Sequence, residues 1–168
     1  MRIDSADPFN EPGEIQVRGE NVMLGYFKNE QATKESFTPD GWLKTGDLGV
    51  IDRNNFIYIK GRSKNMILGP SGQNIYPEEI ESKISNQPFI AECVVVERNG
   101  KLVALIFPDQ EALKAEKKDG NALRLIMEEN IKKTNTELPK YEQISGFELV
   151  SEEFEKTPKK NIKRFKYL

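Results

Sequence analysis

The sequence contains no histidine. Ser–His and Cys–His nucleophile pairs are therefore excluded, as are most catalytic zinc sites, which draw on imidazole ligands. A single cysteine, Cys93, rules out an internal disulfide. Its place inside the apolar run from Ala91 to Val96 reads as a buried core thiol in a reducing compartment rather than a nucleophile. Strong charge of one sign is missing too: 25 basic against 27 acidic residues leave a net charge of −2, so nothing global steers the chain toward nucleic acid or an anionic membrane. No apolar run approaches the ~18 residues of a transmembrane helix, and Met1-Arg2-Ile3-Asp4 does not open a signal peptide. The expectation is a cytoplasmic chain without a metal site, a nucleic-acid partner or a membrane span.

What is present is a globular composition. Of 168 residues, 37% are apolar and 31% charged, enough for one good core or two modest ones. Gly13-Glu14-Ile15-Gln16-Val17-Arg18-Gly19 alternates apolar and polar between glycines, the pattern of a strand with one buried face, and is expected to begin a small sheet. Asn29 to Glu35 has helical propensity, and Pro39-Asp40-Gly41 is turn chemistry. Asp47 to Ile51 and Phe56 to Lys60 are β-rich runs joined by Asp52-Arg53-Asn54-Asn55, which predicts a hairpin.

The second half predicts a sheet with helices. Met66-Ile67-Leu68 is a short strand followed by a glycine loop, Gly69 to Gln73. Pro77 suits the first position of a helix whose glutamates 78, 79 and 81 favour its N-terminus. Those glutamates read as helix-forming residues, not as a catalytic carboxylate pair. Ala91–Arg98 and Lys101–Phe107 flank Asn99-Gly100, the strongest short hairpin signal. Gln110 to Lys118 and Asn121 to Leu138 read as helices; Leu123, Ile126, Met127, Ile131 and Leu138 share one face of the second. A strand is expected from Ile144 to Val150. The fold class is α+β.

Two segments carry a resemblance. Trp42-Leu43-Lys44-Thr45-Gly46-Asp47-Leu48, then Gly61-Arg62-Ser63-Lys64-Asn65-Met66-Ile67-Leu68-Gly69-Pro70-Ser71-Gly72-Gln73-Asn74-Ile75-Tyr76-Pro77-Glu78-Glu79-Ile80-Glu81, resemble in order and spacing the adenylate-forming enzymes, and within them the acyl-CoA synthetases of the long-chain fatty-acid type. The resemblance implies a C-terminal fragment. Residues 1–62 would end the large adenylation domain, 63–168 would form a mobile C-terminal domain, and a large N-terminal domain with the phosphate loop and acyl pocket would be missing. It also implies the small-molecule substrates ATP, a carboxylic acid and CoA, with AMP as product and Mg²⁺ accompanying ATP.

By the same resemblance Asp47 accepts from the ribose hydroxyls, a task its two carboxylate oxygens suit, and Arg62 offers a fixed cationic fork to the ribose and α-phosphate. The hairpin would hold these two at opposite ends of its strand pair. Lys64 would be the hinge, in a short polar break of the kind that absorbs backbone rotation. Gly72 would line the pantetheine channel, and Gly25 and Tyr26 would neighbour the acyl and adenylate pocket.

The tail departs from the family pattern. In Thr157-Pro158-Lys159-Lys160-Asn161-Ile162-Lys163-Arg164, Asn161 occupies the place of the adenylation lysine. An amide there supplies no charge to the transition state. Lys160, the candidate catalytic residue, or Lys163 would substitute if the segment is mobile. On an extended chain neighbouring side chains alternate, so Lys160 would need a local twist. Alternatively Asn161 is an altered position, or the first half-reaction is lost. A carrier-protein acceptor in place of CoA, or a non-catalytic nucleotide- or partner-binding role, are the rival functions.

Overall fold

The computed structural model describes residues 1–118 and 120–168. They form two compact units, Met1–Met66 and Ile67–Leu168, in an α+β chain.

The first unit is a four-stranded antiparallel sheet in the order β1-β2-β3-β4, from β1 (Arg2–Asp4), β2 (Gly13–Val17), β3 (Leu43–Ile51) and β4 (Ile57–Arg62), with one short helix, α1 (Glu30–Ser36). The sheet begins one strand earlier than the alternation suggests, because Arg2–Asp4 pairs along β2. The one-faced pattern of β2 fails at Gln16, which is 1% exposed. Its amide is satisfied by neighbours on β1: Arg2 Nε donates to Gln16 Oε1 (2.7 Å) and Gln16 Nε2 donates to Asp4 Oδ2 (3.0 Å). A polar side chain so bonded loses little on burial.

Arg2 also forks onto Asp40, at 2.7 and 3.1 Å, and its guanidinium lies 4.7 Å from the centroid of the Trp42 ring, which Arg18 also approaches, at 4.6 Å. Asp40 is pulled down to about 2 by that fork and by a hydrogen bond with Thr38. Asn29 caps α1 by accepting the N–H of Ala32 at 3.0 Å. The β3–β4 turn forms around Asp52, whose Oδ1 accepts the N–H groups of Asn54 and Phe56 (2.8 and 2.9 Å). Asn55 takes φ 64°, which asparagine tolerates.

The second unit is built on the Asn99-Gly100 hairpin. β7 (Ile90–Arg98) and β8 (Lys101–Pro108) pair from Arg98–Lys101 outward, with φ 54° and 74° at the two turn residues. β9 (Ile144–Leu149) adds parallel to β8, giving the order β7-β8-β9. A two-residue hairpin, β5 (Ile67–Leu68) with β6 (Asn74–Ile75), precedes α2 (Pro77–Ser85). Two further helices, α3 (Gln110–Ala115) and α4 (Gly120–Thr136), are shorter at their C-terminal ends than the sequence pattern suggests.

The helix periodicity is used as expected. Ile80 and Ile84 of α2, fully buried, and Met127 and Ile131 of α4 meet Val95, Ala104 and Ile106 of the sheet in one apolar core, with Leu123 and Ile126 at its margin. Cys93 is in that core; burial raises its thiol well above the ordinary range. Among the described residues no helix is long and apolar enough to cross a membrane.

Candidate functional site

The Thr45-Gly46-Asp47 segment is a double irregularity in β3. Glu14 pairs with Leu48 and Gln16 with Lys44, so three residues of β3 are set against the single residue Ile15. On the other side Leu48 pairs with Gly61 but Gly49 with Ile59, which leaves Lys60 as an extra residue in β4. Bulges of this kind re-aim side chains and increase local twist.

The distortion is held by named bonds. The Thr45 hydroxyl donates to the Ile15 carbonyl (2.7 Å) and accepts the Asp47 N–H (3.1 Å), while the Gly46 N–H donates to Glu14 Oε1 (3.1 Å). Gly46 has φ +75°, a conformation glycine reaches without steric cost.

The bulge brings Asp47 directly opposite Arg62, whose Nη1 lies 2.6 Å from Asp47 Oδ1 and also donates to the Thr45 carbonyl at 3.3 Å. The two candidate ligands are thus partners in register at the open end of the strand pair, not residues at its opposite ends, because a hairpin folds the start of one strand onto the finish of the next. The Arg62 side chain is 58% exposed and that of Asp47 32%. Exposed pairs contribute only ~0–1 kcal/mol, so a polar ligand can exchange with this one at little cost.

Beside the pair is a cleft of about 680 Å³ within the first unit. Lys44, Thr45 and Gly46 line it from β3, Glu35 and Ser36 from α1, and Arg62, Ser63, Lys64 and Asn65 from the end of β4. Tyr26 reaches the cleft and Gly25 does not; the Tyr26 N–H is tied to Thr33 Oγ1 (2.8 Å). Lys64 is the middle residue of a single 3-10 turn, Ser63–Asn65, and is exposed.

In the second unit the loop after β5 closes through Gly69 N–H to the Gln73 carbonyl (2.8 Å) and Gly72 N–H to the Gly69 carbonyl (2.9 Å). Gly72 sits at φ +83°, and a side chain there would meet nothing within 4 Å. The turn's backbone requires the glycine, and the space above it is open. The neighbouring groove, about 470 Å³, runs from Gly69, Pro70 and Ser71 to Lys101, Lys140 and Tyr141.

The tail is folded rather than extended. Thr157 N–H donates to the Asn161 carbonyl (2.8 Å), Lys160 N–H to the Thr157 carbonyl (2.8 Å) and Asn161 N–H to Thr157 Oγ1 (3.3 Å); Lys156 and Ile162 bridge beneath them. Lys160 lies at φ 62°. This tight hairpin supplies the twist that strict alternation forbids, and Lys160 and Asn161 are both exposed.

Most tail cations are paired. Lys163 binds Glu155 (3.3 Å), Lys166 binds the same carboxylate, and Lys156 pairs with Glu92 and Glu153. Lys159 and Lys160 have no ion pair among the described residues. Among the described residues no group of three or more Asp, Glu or Cys side chains suits a metal ion.

Residues 64–168 match the family described as AMP-binding enzyme C-terminal domain. The chain belongs to that family. The chain is 46% identical over 101 residues to the long-chain-fatty-acid–CoA ligase FadD15 of Mycobacterium tuberculosis, a match covering 60% of this chain and 17% of that one. The o-succinylbenzoate CoA synthetase of Bacillus subtilis, solved in complex with its acyl-adenylate intermediate, superposes with a TM-score of 0.74 at 33% identity. It covers 95% of this chain and 31% of its own. The adenylation domain of a carboxylate reductase from Mycobacterium chelonae shares the fold, with a TM-score of 0.82 at 22% identity over 93% of this chain and 26% of its own. The chain therefore spans less than a third of each of these proteins, and the two it resembles in sequence are CoA ligases of different acids.

One buried contact escaped the sequence reading. Glu81, read as helix-forming, is a buried ligand of the tail: Arg164 Nη2 is 2.6 Å from both its carboxylate oxygens. Burial holds the Glu81 carboxyl above its ordinary range, against the pull of Arg164. Both side chains are far from each other in sequence, and no local pattern announces the pair.

Proposed function

We propose that this chain is the C-terminal part of an AMP-forming acyl-CoA synthetase. The carboxylic acid attacks the α-phosphate of ATP, releasing pyrophosphate and leaving an acyl-adenylate; the CoA thiolate then attacks the acyl carbon and expels AMP. The identity to FadD15 favours a long-chain fatty acid as the substrate. The observation that carries the reading is the Asp47–Arg62 pair, set by the β3 bulge on the lip of a polar cleft.

In this reading Asp47 accepts from the two ribose hydroxyls and Arg62 turns its fork to the ribose and phosphate, both released from a weak mutual bond. Residues 1–62 complete the large domain, and 63–168 turn about Lys64 between the half-reactions. The Gly69–Gln73 loop receives the pantetheine arm of CoA, with the open space above Gly72 as its passage. Lys160, unpaired at the hairpin tip, supplies the cation that Asn161 lacks and stabilises charge developing between carboxylate and α-phosphate.

Pyrophosphate exchange by the full-length parent tests this. The wild type exchanges, and Lys160→Ala lowers the rate on the order of 10²-fold. An unchanged rate contradicts the role of Lys160. Asn161 favours a second reading, a relative that binds nucleotide without adenylating. Absence of exchange in the wild type, restored by Asn161→Lys, would support it.

A further inference from the structure

Among the described residues the outer edge of β7 carries no strand, since the sheet order is β7-β8-β9. At its middle, Val95 hands both backbone groups to side chains. The Val95 N–H donates to Glu81 Oε1 at 2.5 Å, and its carbonyl accepts Arg164 Nη1 at 2.9 Å. Arg164 Nη2 closes the ring on the Glu81 carboxylate, and the two side chains are 13% and 14% exposed. Helix α2, strand β7 and the tail are joined in one cycle of charge-assisted hydrogen bonds.

Lesser fasteners lie on either side. The Phe154 N–H meets Glu92 Oε2 at 3.4 Å, Arg98 Nη2 donates to the Tyr167 carbonyl at 3.3 Å, and the Phe154 and Tyr167 rings stack edge to face at 4.9 Å. Phe154 is buried with Val94, Val96 and Leu105. Both arms of the 156–162 hairpin are thereby anchored, and only its tip stands clear. These bonds tie the tail to β7 at several points along its length.

We propose that Glu81 and Arg164 are positioning residues for adenylation: by clamping the open edge of β7 they fix where the hairpin presents Lys160. The proposal rests on the reading that the tail serves the adenylation half-reaction. A buried ion pair is a poor stabiliser compared with apolar residues of the same volume. Its advantage is direction, since the planar guanidinium meets the carboxylate and the Val95 carbonyl in one orientation only. Neither residue touches substrate.

The test separates the half-reactions in the full-length parent. Arg164→Ala lowers pyrophosphate exchange on the order of 10²-fold, the scale of a small misplacement of a catalytic group, while thioester formation from supplied acyl-adenylate stays within about threefold of wild type. Glu81→Gln behaves likewise, and Arg164→Lys recovers part of the exchange. Hydrogen exchange on the same variants shows the Thr157 and Lys163 amides losing protection while those of Val94 and Ala104 keep theirs. Equal loss of both half-reactions, unchanged pyrophosphate exchange, or a tail whose protection survives Arg164→Ala overturns the proposal. A wild type that exchanges no pyrophosphate refutes the adenylation reading instead, and tail protection then still decides whether the pair fixes the hairpin.

Discussion

Asp47 and Arg62 face each other across β3 and β4 and are joined at 2.6 Å, though fifteen residues apart in the chain. The bond is exposed and the site beside it is open. Two predictions follow from that balance. In the parent enzyme, Asp47→Ala weakens AMP binding roughly ten- to hundredfold, the scale of a lost hydrogen bond to a charged group. The same substitution changes unfolding stability by no more than about 1 kcal/mol. Equilibrium titration with AMP and urea unfolding measure the two. A large stability loss with unchanged AMP affinity would make the pair structural.

The glycines of β3 separate backbone conformation from space. At Gly46 an added Cβ would meet only Arg62 Nη1, at 3.9 Å, so Gly46→Ala carries just the positive-φ penalty, about 1 kcal/mol. At Gly49 the Cβ would lie 2.8 Å from the Tyr58 carbonyl oxygen and 3.1 Å from Ile15 Cδ1. Gly49→Ala must push β4 aside and costs about 1–3 kcal/mol. Denaturant unfolding of both variants orders them; a more damaging Gly46→Ala would contradict the described bulge.

Much of this architecture is legible in the sequence because it is local. Asn99-Gly100 names its own turn, Asp52 to Asn55 names another, and Pro77 opens α2 as its ring geometry dictates. The site is legible only in part. Thr45-Gly46-Asp47 is visible as a motif, yet its bulge appears only when Ile15 is known to be the lone residue opposite. Gln16 reads as solvent-facing until Arg2 and Asp4 close over it from a strand too short to show a pattern. Glu81 and Arg164 are 83 residues apart, and each alone satisfies a simpler explanation. Lys160 has no side-chain reason to adopt positive φ; the turn begun by Thr157-Pro158 imposes it.

Asp40 gives a pH signature. Its carboxyl is held at about 2 by Arg2 and Thr38, below the ordinary aspartate value of ~3.9. The folded state therefore binds this proton less readily than the unfolded chain does. The stabilisation is fully present above about pH 4 and is lost as pH falls through about 2. A carboxyl-detected NMR titration should place the Asp40 midpoint there, and Arg2→Ala should raise it toward 3.8. An unmoved midpoint in Arg2→Ala would contradict the fork.

Cys93 is buried, and desolvation raises its thiol. At about pH 8, where an exposed thiol near its ordinary pKa reacts readily, a disulfide reagent should leave the native chain unmodified and label one thiol per chain after unfolding. Rapid native labelling would contradict its place in the core.

The most direct measurement is the structure of the full-length parent with AMP bound. The account predicts Asp47 oxygens about 2.7–3.2 Å from the ribose hydroxyls and the Arg62 guanidinium turned from Asp47 toward the ribose and phosphate. A nucleotide held elsewhere, with the Asp47–Arg62 bond still closed at 2.6 Å, would contradict it.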